Sequence, residues 1–215
     1  MFRHSIAIAA LAAAIALPSA ALAGKKDTTT SSTQAEIQLL GVEAFDGVLG
    51  SAKGIQDKIK TQTTSMATAR ANVNSALGAA TDAPFKTAVD DFKAKAGDSL
   101  SLAMDGTMPK LKASDAAPEN VTKGIDAVNG LVDAGKATID TCVALQAEIT
   151  GLISEVQAFP AQLPSVLKSN PFDLAKKTKI LADDIKIMGD TPKMLDEMVK
   201  EAEGIFNDVK AVFGG

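Results

Sequence analysis

Tryptophan and tyrosine are missing from this chain of 215 residues, and histidine and cysteine occur once each. The histidine, His4, stands in a leader read below as removable, so the working protein has no imidazole at all. That excludes a good deal. A Ser-His-Asp triad or Cys-His dyad and the usual zinc sites need imidazole. A carboxylate-bridged di-iron centre in a helical bundle needs Glu-x-x-His pairs, and a covalently attached haem needs Cys-x-x-Cys-His. With Cys142 alone, no intramolecular disulfide can form, so stability has to come from a core or from assembly.

Two further shortages narrow the partners. The longest apolar run, Ile6 to Leu17, has 12 residues, whereas a membrane-spanning helix takes about 20. Basic charge is not concentrated anywhere: beyond residue 23 there are 21 Lys and Arg against 26 Asp and Glu, with the signs interleaved. A nucleic acid would demand clustered cations to neutralise phosphates, and none is expected as a partner. Without Trp or Tyr belts, a stable interfacial membrane binder is also disfavoured.

What is present begins with a leader. Met1-Phe2-Arg3-His4-Ser5, the apolar run and Ala21-Leu22-Ala23 match a secretory signal peptide of bacterial style, with cleavage after Ala23. Gly24 rather than cysteine follows, so lipid attachment there is excluded. The expected location is periplasmic or secreted, with no stable transmembrane anchor after cleavage. Residues 24–33 are polar and aperiodic, the composition of a flexible tail. Residues 34–215 are expected to form a single helical-bundle domain.

The heptad pattern carries the fold class. Phe45, Val48, Ala52, Ile55, Ile59, Gln62, Met66, Ala69, Val73, Ala76 and Ala80 step by threes and fours, a coiled-coil-type seam. With a lead-in from Gln34 this predicts a helix of about 45 residues, on the order of 70 Å long. Thr81-Asp82-Ala83-Pro84 opens a second helix with Phe85, Val89, Phe92, Ala96, Leu100 and Ala103 on one face, weakening at Asp105-Gly106 and broken near Met108-Pro109. Ser114-Asp115 caps a third, whose seam runs Val121, Ile125, Val128, Val132, Gly135, Ile139, Cys142, Leu145, Ile149, Leu152, Val156 and Phe159. The three-residue step from Cys142 to Leu145 is a stammer. Pro160, Pro164 and Asn170-Pro171 predict an irregular connection. The last segment carries Leu174, Leu181, Ile185, Met188, Leu195, Met198, Ala202, Ile205, Val209 and Val212, with Ile180, Ile187 and Met194 as a second stripe. Gly189-Asp190-Thr191-Pro192 leaves one kinked helix and two capped helices both open for residues 171–213. The expected fold is all-α: an elongated antiparallel up-down bundle of about four long helices with coiled-coil-like seams.

Possible sites are few. Asp90-Asp91, Asp183-Asp184 and Glu197 with Glu201 are acidic pairs that read as solvated faces, supported by Lys86 with Asp90 and Lys179 with Asp183 at helical spacing. Lys176, Lys177 and Lys179 read the same way. Cys142, Met188, Met194 and Met198 fall in phase with the seams and read as core. Glycines inside the helices, among them Gly47, Gly50, Gly54, Gly124, Gly130 and Gly151, each cost about 1 kcal/mol relative to alanine. No catalytic, cofactor-binding or metal-binding residue is expected, and no cofactor. The functional expectation is a non-enzymatic exported protein, monomer or homodimer, acting as a protein-interaction, adaptor or structural element of the cell envelope. The alternative is a carrier of lipid or another apolar ligand held between separable helices. A membrane-inserting toxin ranks third, for want of a second long apolar run.

Overall fold

The computed structural model of the protein describes residues 35–167 and 171–214; the leader and the polar tail read from the sequence lie outside the described residues. The elements are α1 (Glu43–Ala76), α2 (Phe85–Ala96), β1 (Leu100–Asp105), β2 (Met108–Ala113), α3 (Glu119–Leu167) and α4 (Pro171–Phe213), with a short 3₁₀ turn at Gly97–Ser99. Among the described residues the protein is thus mostly helical, with four helices and one small two-stranded sheet. No helix among the described residues is long and apolar enough to cross a membrane.

The chain divides into two compact units. Of the described residues, 35–61 and 141–197 belong to the first, and 62–140 and 198–214 to the second. In the first unit most seam positions supply the interior: Phe45, Ala52, Ile55, Ile59, Cys142, Leu145, Ile149, Leu152, Val156, Phe159, Leu181 and Leu195 are buried, while Leu49 is buried in place of Val48, which is half-buried. The rings of Phe45 and Phe159 meet with centroids 4.4 Å apart. The second unit has one continuous core in which Met66, Val73, Phe85, Val89, Phe92, Ile125, Val128, Val132, Ile205, Phe206 and Val209 are all buried. Small residues there make room for rings. A methyl at Gly124 would lie 2.5 Å from Phe92, and one at Gly135 would lie 3.0 Å from Phe206.

Four sequence expectations need correction or completion. The first helix starts at Glu43 rather than near Gln34, because Gly41 takes φ +65° and residues 35–42 form a strap without helix or strand. Ile37, Leu40 and Val42 of that strap are buried. At the other end of α1, Gly78 sits at φ +69°, its amide donates to Ser75 and that of Ala79 to Asn74, a Schellman stop.

Leu100 and Ala103 are not helical. Gly97, at φ +54°, ends α2, and the chain then turns into an antiparallel hairpin with Leu100 opposite Ala113, Leu102 opposite Leu111 and Met104 opposite Pro109. Two residues, Gly106 and Thr107, connect the strands, and Gly106 at φ +62° supplies the left-handed backbone that such tight hairpins need.

α3 runs on to Leu167 through Pro160 and Pro164 instead of ending before them. Both prolines lie on the exposed face while Phe159 and Leu163 are buried. Burial of the apolar side thus carries the helix past its breakers. The choice left open at Pro192 falls to one continuous helix, α4.

Candidate functional site

The hairpin of the second unit carries unused bonding capacity along one edge. Its bonding pattern follows from two observations. Ser114 donates its amide to Ser99 at 3.0 Å, one step beyond the pair Leu100 and Ala113. Asn129 of α3 accepts the Leu111 amide on Oδ1 at 2.8 Å and donates through Nδ2 to the Leu111 carbonyl at 2.9 Å. In an antiparallel ladder, bonded pairs alternate with unbonded ones. Ser101, Ala103 and Asp105 therefore bond to β2, whereas Leu100, Leu102 and Met104 turn their amides and carbonyls away from it.

The two outer edges are treated differently. On β2, Pro109 has no amide hydrogen, Asn129 occupies both groups of Leu111, and Lys110 reaches Asp133 of α3 at 2.5 Å. Asn129 and Asp133 stand one turn apart on α3, so a single helix face ties β2 down. On β1 no proline or lysine intervenes, and among the described residues nothing bonds to the outward groups of Leu102 and Met104. On the face that carries Leu100, Leu102 and Met104, exposure increases from Leu100, which is buried, to Met104, which is half exposed. Natural sheets usually blunt such an edge with charge, proline or a covering element. Here one edge carries all of these, and the other has only the charge of Asp105 at its turn end.

A second feature of the same unit is a shallow pocket of about 180 Å³ lined by Thr63, Met66, Arg70, Thr81, Asp82, Glu201 and Ile205 among others. Arg70 lies across it from Glu201 at 3.8 Å. Its floor is apolar, but it is smaller than the roughly 300–1,000 Å³ typical of small-molecule sites.

In the first unit the strap is held by side chains. Gln56 of α1 accepts the Ile37 amide at 3.1 Å and donates to the Ala35 carbonyl at 2.9 Å. Asp184 of α4 accepts the Gln38 amide at 3.2 Å, and Asp46 accepts that of Leu40 at 2.8 Å. Asp184 is buried, and its second carboxylate oxygen has no hydrogen-bond partner. Burial, reinforced by neighbouring Asp183 and opposed by the Gln38 bond, pushes its carboxyl up to about 6. This corrects the expectation for one acidic pair: Asp183 is solvated, but Asp184 belongs to the interior.

The remaining sequence candidates fall into place individually rather than together. Asp90 pairs with Lys86 at 2.8 Å, and Asp91 is exposed. On α4 the pair that forms is Lys177 with Asp173 at 3.4 Å rather than Lys179 with Asp183. Glu197 stands 3.8 Å from Lys193 on the surface, while Glu201 faces Arg70. Cys142 is buried, and desolvation pushes its thiol up to about 11. Met188, Met194 and Met198 are buried too. None of these gathers into a reactive cluster. The sequence did hold a signal for the hairpin: the alternation Leu100, Leu102, Met104 and Pro109, Leu111 around Gly106 has the two-residue period of a strand.

Compared with family models, with curated proteins and with solved structures, the chain matches none.

Proposed function

We propose that this is a non-enzymatic exported protein of the cell envelope that works by binding other protein, with the outer edge of β1 as its binding element. The reading of its long helices as an antiparallel up-down bundle goes with this, since such a scaffold presents a hairpin rigidly. The observation that carries the proposal is the contrast between the edges: β2 is closed by Pro109, Asn129 and the Lys110–Asp133 pair, and β1 presents paired donors and acceptors at Leu102 and Met104. Addition of a strand to an exposed edge is a common way to capture an extended segment, with backbone bonds giving affinity and alternate side chains giving selectivity. The lack of imidazole beyond residue 23 supports a role without catalysis.

A displayed library of extended peptides, panned against the processed chain and counter-screened against Met104→Pro, tests this. The substitution removes one outward donor and leaves the ladder to β2 whole, because the Met104 amide takes no part in it. Peptides of alternating apolar pattern that bind the parent and not the variant are expected. Failure to recover any binder sensitive to Met104→Pro would overturn the proposal, and uptake of fatty acid by delipidated protein with a rise in melting temperature would favour the carrier reading instead.

A further inference from the structure

Resting on that reading, we infer that the occupant of the β1 edge is β1 of a second copy of this chain, the two strands running antiparallel about a two-fold axis through Ala103. The register follows from which groups are free. Only residues with outward amides and carbonyls can bond across the new interface, so Leu102 and Met104 must face residues of the same kind. Antiparallel pairing about Ala103 sets Leu102 of one copy opposite Met104 of the other, and Met104 opposite Leu102. Each pair exchanges two backbone bonds, as bonded pairs in antiparallel sheets do. The axis passes through an alanine, whose small side chain lets the strands close. Two hairpins would then make one four-stranded sheet, which is a far more stable object than an isolated pair of strands.

Side chains agree with this register. Leu102 and Met104 of both copies fall on one face, and each Met104 side chain, 50% exposed in the single chain, would pack against Leu102 of the other copy. On the opposite face Asp105 of one copy stands across from Ser101 of the other, so no like charges meet directly. Ser101 is itself paired with Lys112 of β2. The incoming Asp105 is therefore two strands from a lysine, about 10 Å between backbones, with only a serine between. The pairing is complementary in charge as well as in hydrogen bonding. It also leaves out Leu100, the one buried residue of β1.

Sedimentation equilibrium of the processed chain from about 10 μM to about 1 mM, paired with residue-resolved amide exchange at both limits, is the decisive experiment. The mass should rise toward twice that of one chain. The amides of Leu102 and Met104 should slow at least tenfold with concentration, while Ser101 and Ala103, bonded to β2 throughout, should not change. Met104→Pro and Met104→Lys should both stay monomeric at about 1 mM with an unaltered helical circular-dichroism signal. A constant monomer mass with concentration-independent exchange at Leu102 and Met104 would overturn the inference. So would a dimer that persists in both variants, which would place the contact elsewhere. If self-pairing fails while edge-dependent peptides still bind, the proposed function stands and only the second-copy occupant falls. If the dimer forms but no foreign peptide binds, the edge serves self-assembly and the adaptor reading falls.

Discussion

The two units solve one problem in two ways. Each must attach a non-helical stretch to long helices without leaving backbone groups unbonded, because a buried unpaired amide or carbonyl costs about 1–3 kcal/mol. In both, a side-chain amide on a helix imitates a neighbouring strand: Gln56 for the strap at Ala35 and Ile37, Asn129 for β2 at Leu111. Asn74 does the same for the α1–α2 connection, donating to Thr81 and Ala83. The difference lies in what assists. The second unit adds proline and the Lys110–Asp133 ion pair. The first adds a buried carboxylate, and its strap is thereby tied to proton concentration.

Breaking the amide clamps should have the largest effect. Gln56→Ala leaves the buried Ile37 amide unbonded and takes the partner from the carbonyl of exposed Ala35, and is expected to cost about 1–3 kcal/mol. Asn129→Ala acts at a partly exposed edge and should cost about half as much. Denaturant unfolding measures both, and equal losses would erase the proposed distinction between the units. The second comparison is between glycines. Gly124→Ala drives a methyl into Phe92 and should destabilise by roughly 1–3 kcal/mol despite alanine's better helix propensity. Gly50 has nothing near it.

Next comes the pH dependence of the strap. The Asp184 carboxyl is raised from 3.8 to about 6, so the folded protein holds that proton more tightly than the unfolded chain. The stability this confers is whole below about pH 4 and is lost as the pH rises through about 6. Asp184→Asn keeps an acceptor for Gln38 and discards the charge. It should stabilise by roughly 1–2 kcal/mol at about pH 8 and bring no gain below about pH 4. Melting curves across that range decide it, and a gain that does not vary with pH would mean that the charge is not the cause. The smallest effect belongs to Gly50→Ala, which should stabilise by up to about 1 kcal/mol in chemical denaturation, with Gly47 and Gly54 behaving alike.

The sequence makes the helical seams readable because a heptad pattern must be buried along one side, and Phe45, Val73, Val121, Val156 and Val209 are buried as their phase requires, whereas Leu49 and Leu77 take the interior places expected of Val48 and Ala76. The hairpin escapes the same reading. Ala96, Leu100 and Ala103 fit three-and-four spacing by coincidence, and Leu100, Leu102 and Met104 fit alternation equally well. Gly97 and Gly106 decide between them by taking left-handed backbone, which residue type permits but does not demand. Pro160 and Pro164 mislead for the converse reason, since a breaker on an outward face is outweighed by Phe159 and Leu163 inside. Asp184 is hidden by its neighbour. The stripe Leu181, Met188 and Leu195 passes through positions 184 and 191 as readily as through Ile185, and the structure buries Asp184 and Thr191 there. A polar residue on a buried stripe becomes meaningful only once the strap it binds is in view. The candidate edge was illegible throughout, because it depends on which way backbone groups point.

The lone thiol at Cys142 gives this protein a built-in timer. Shut inside α3 and held in its protonated form, it can react with a soluble alkylating reagent only during moments when the surrounding helices part. Under reagent excess, the labelling rate therefore reports how often the first unit opens, on the same free-energy scale that amide exchange reports residue by residue. One mass measurement over time, with no added tag, would separate a strap that breathes locally from a unit that unfolds as a whole.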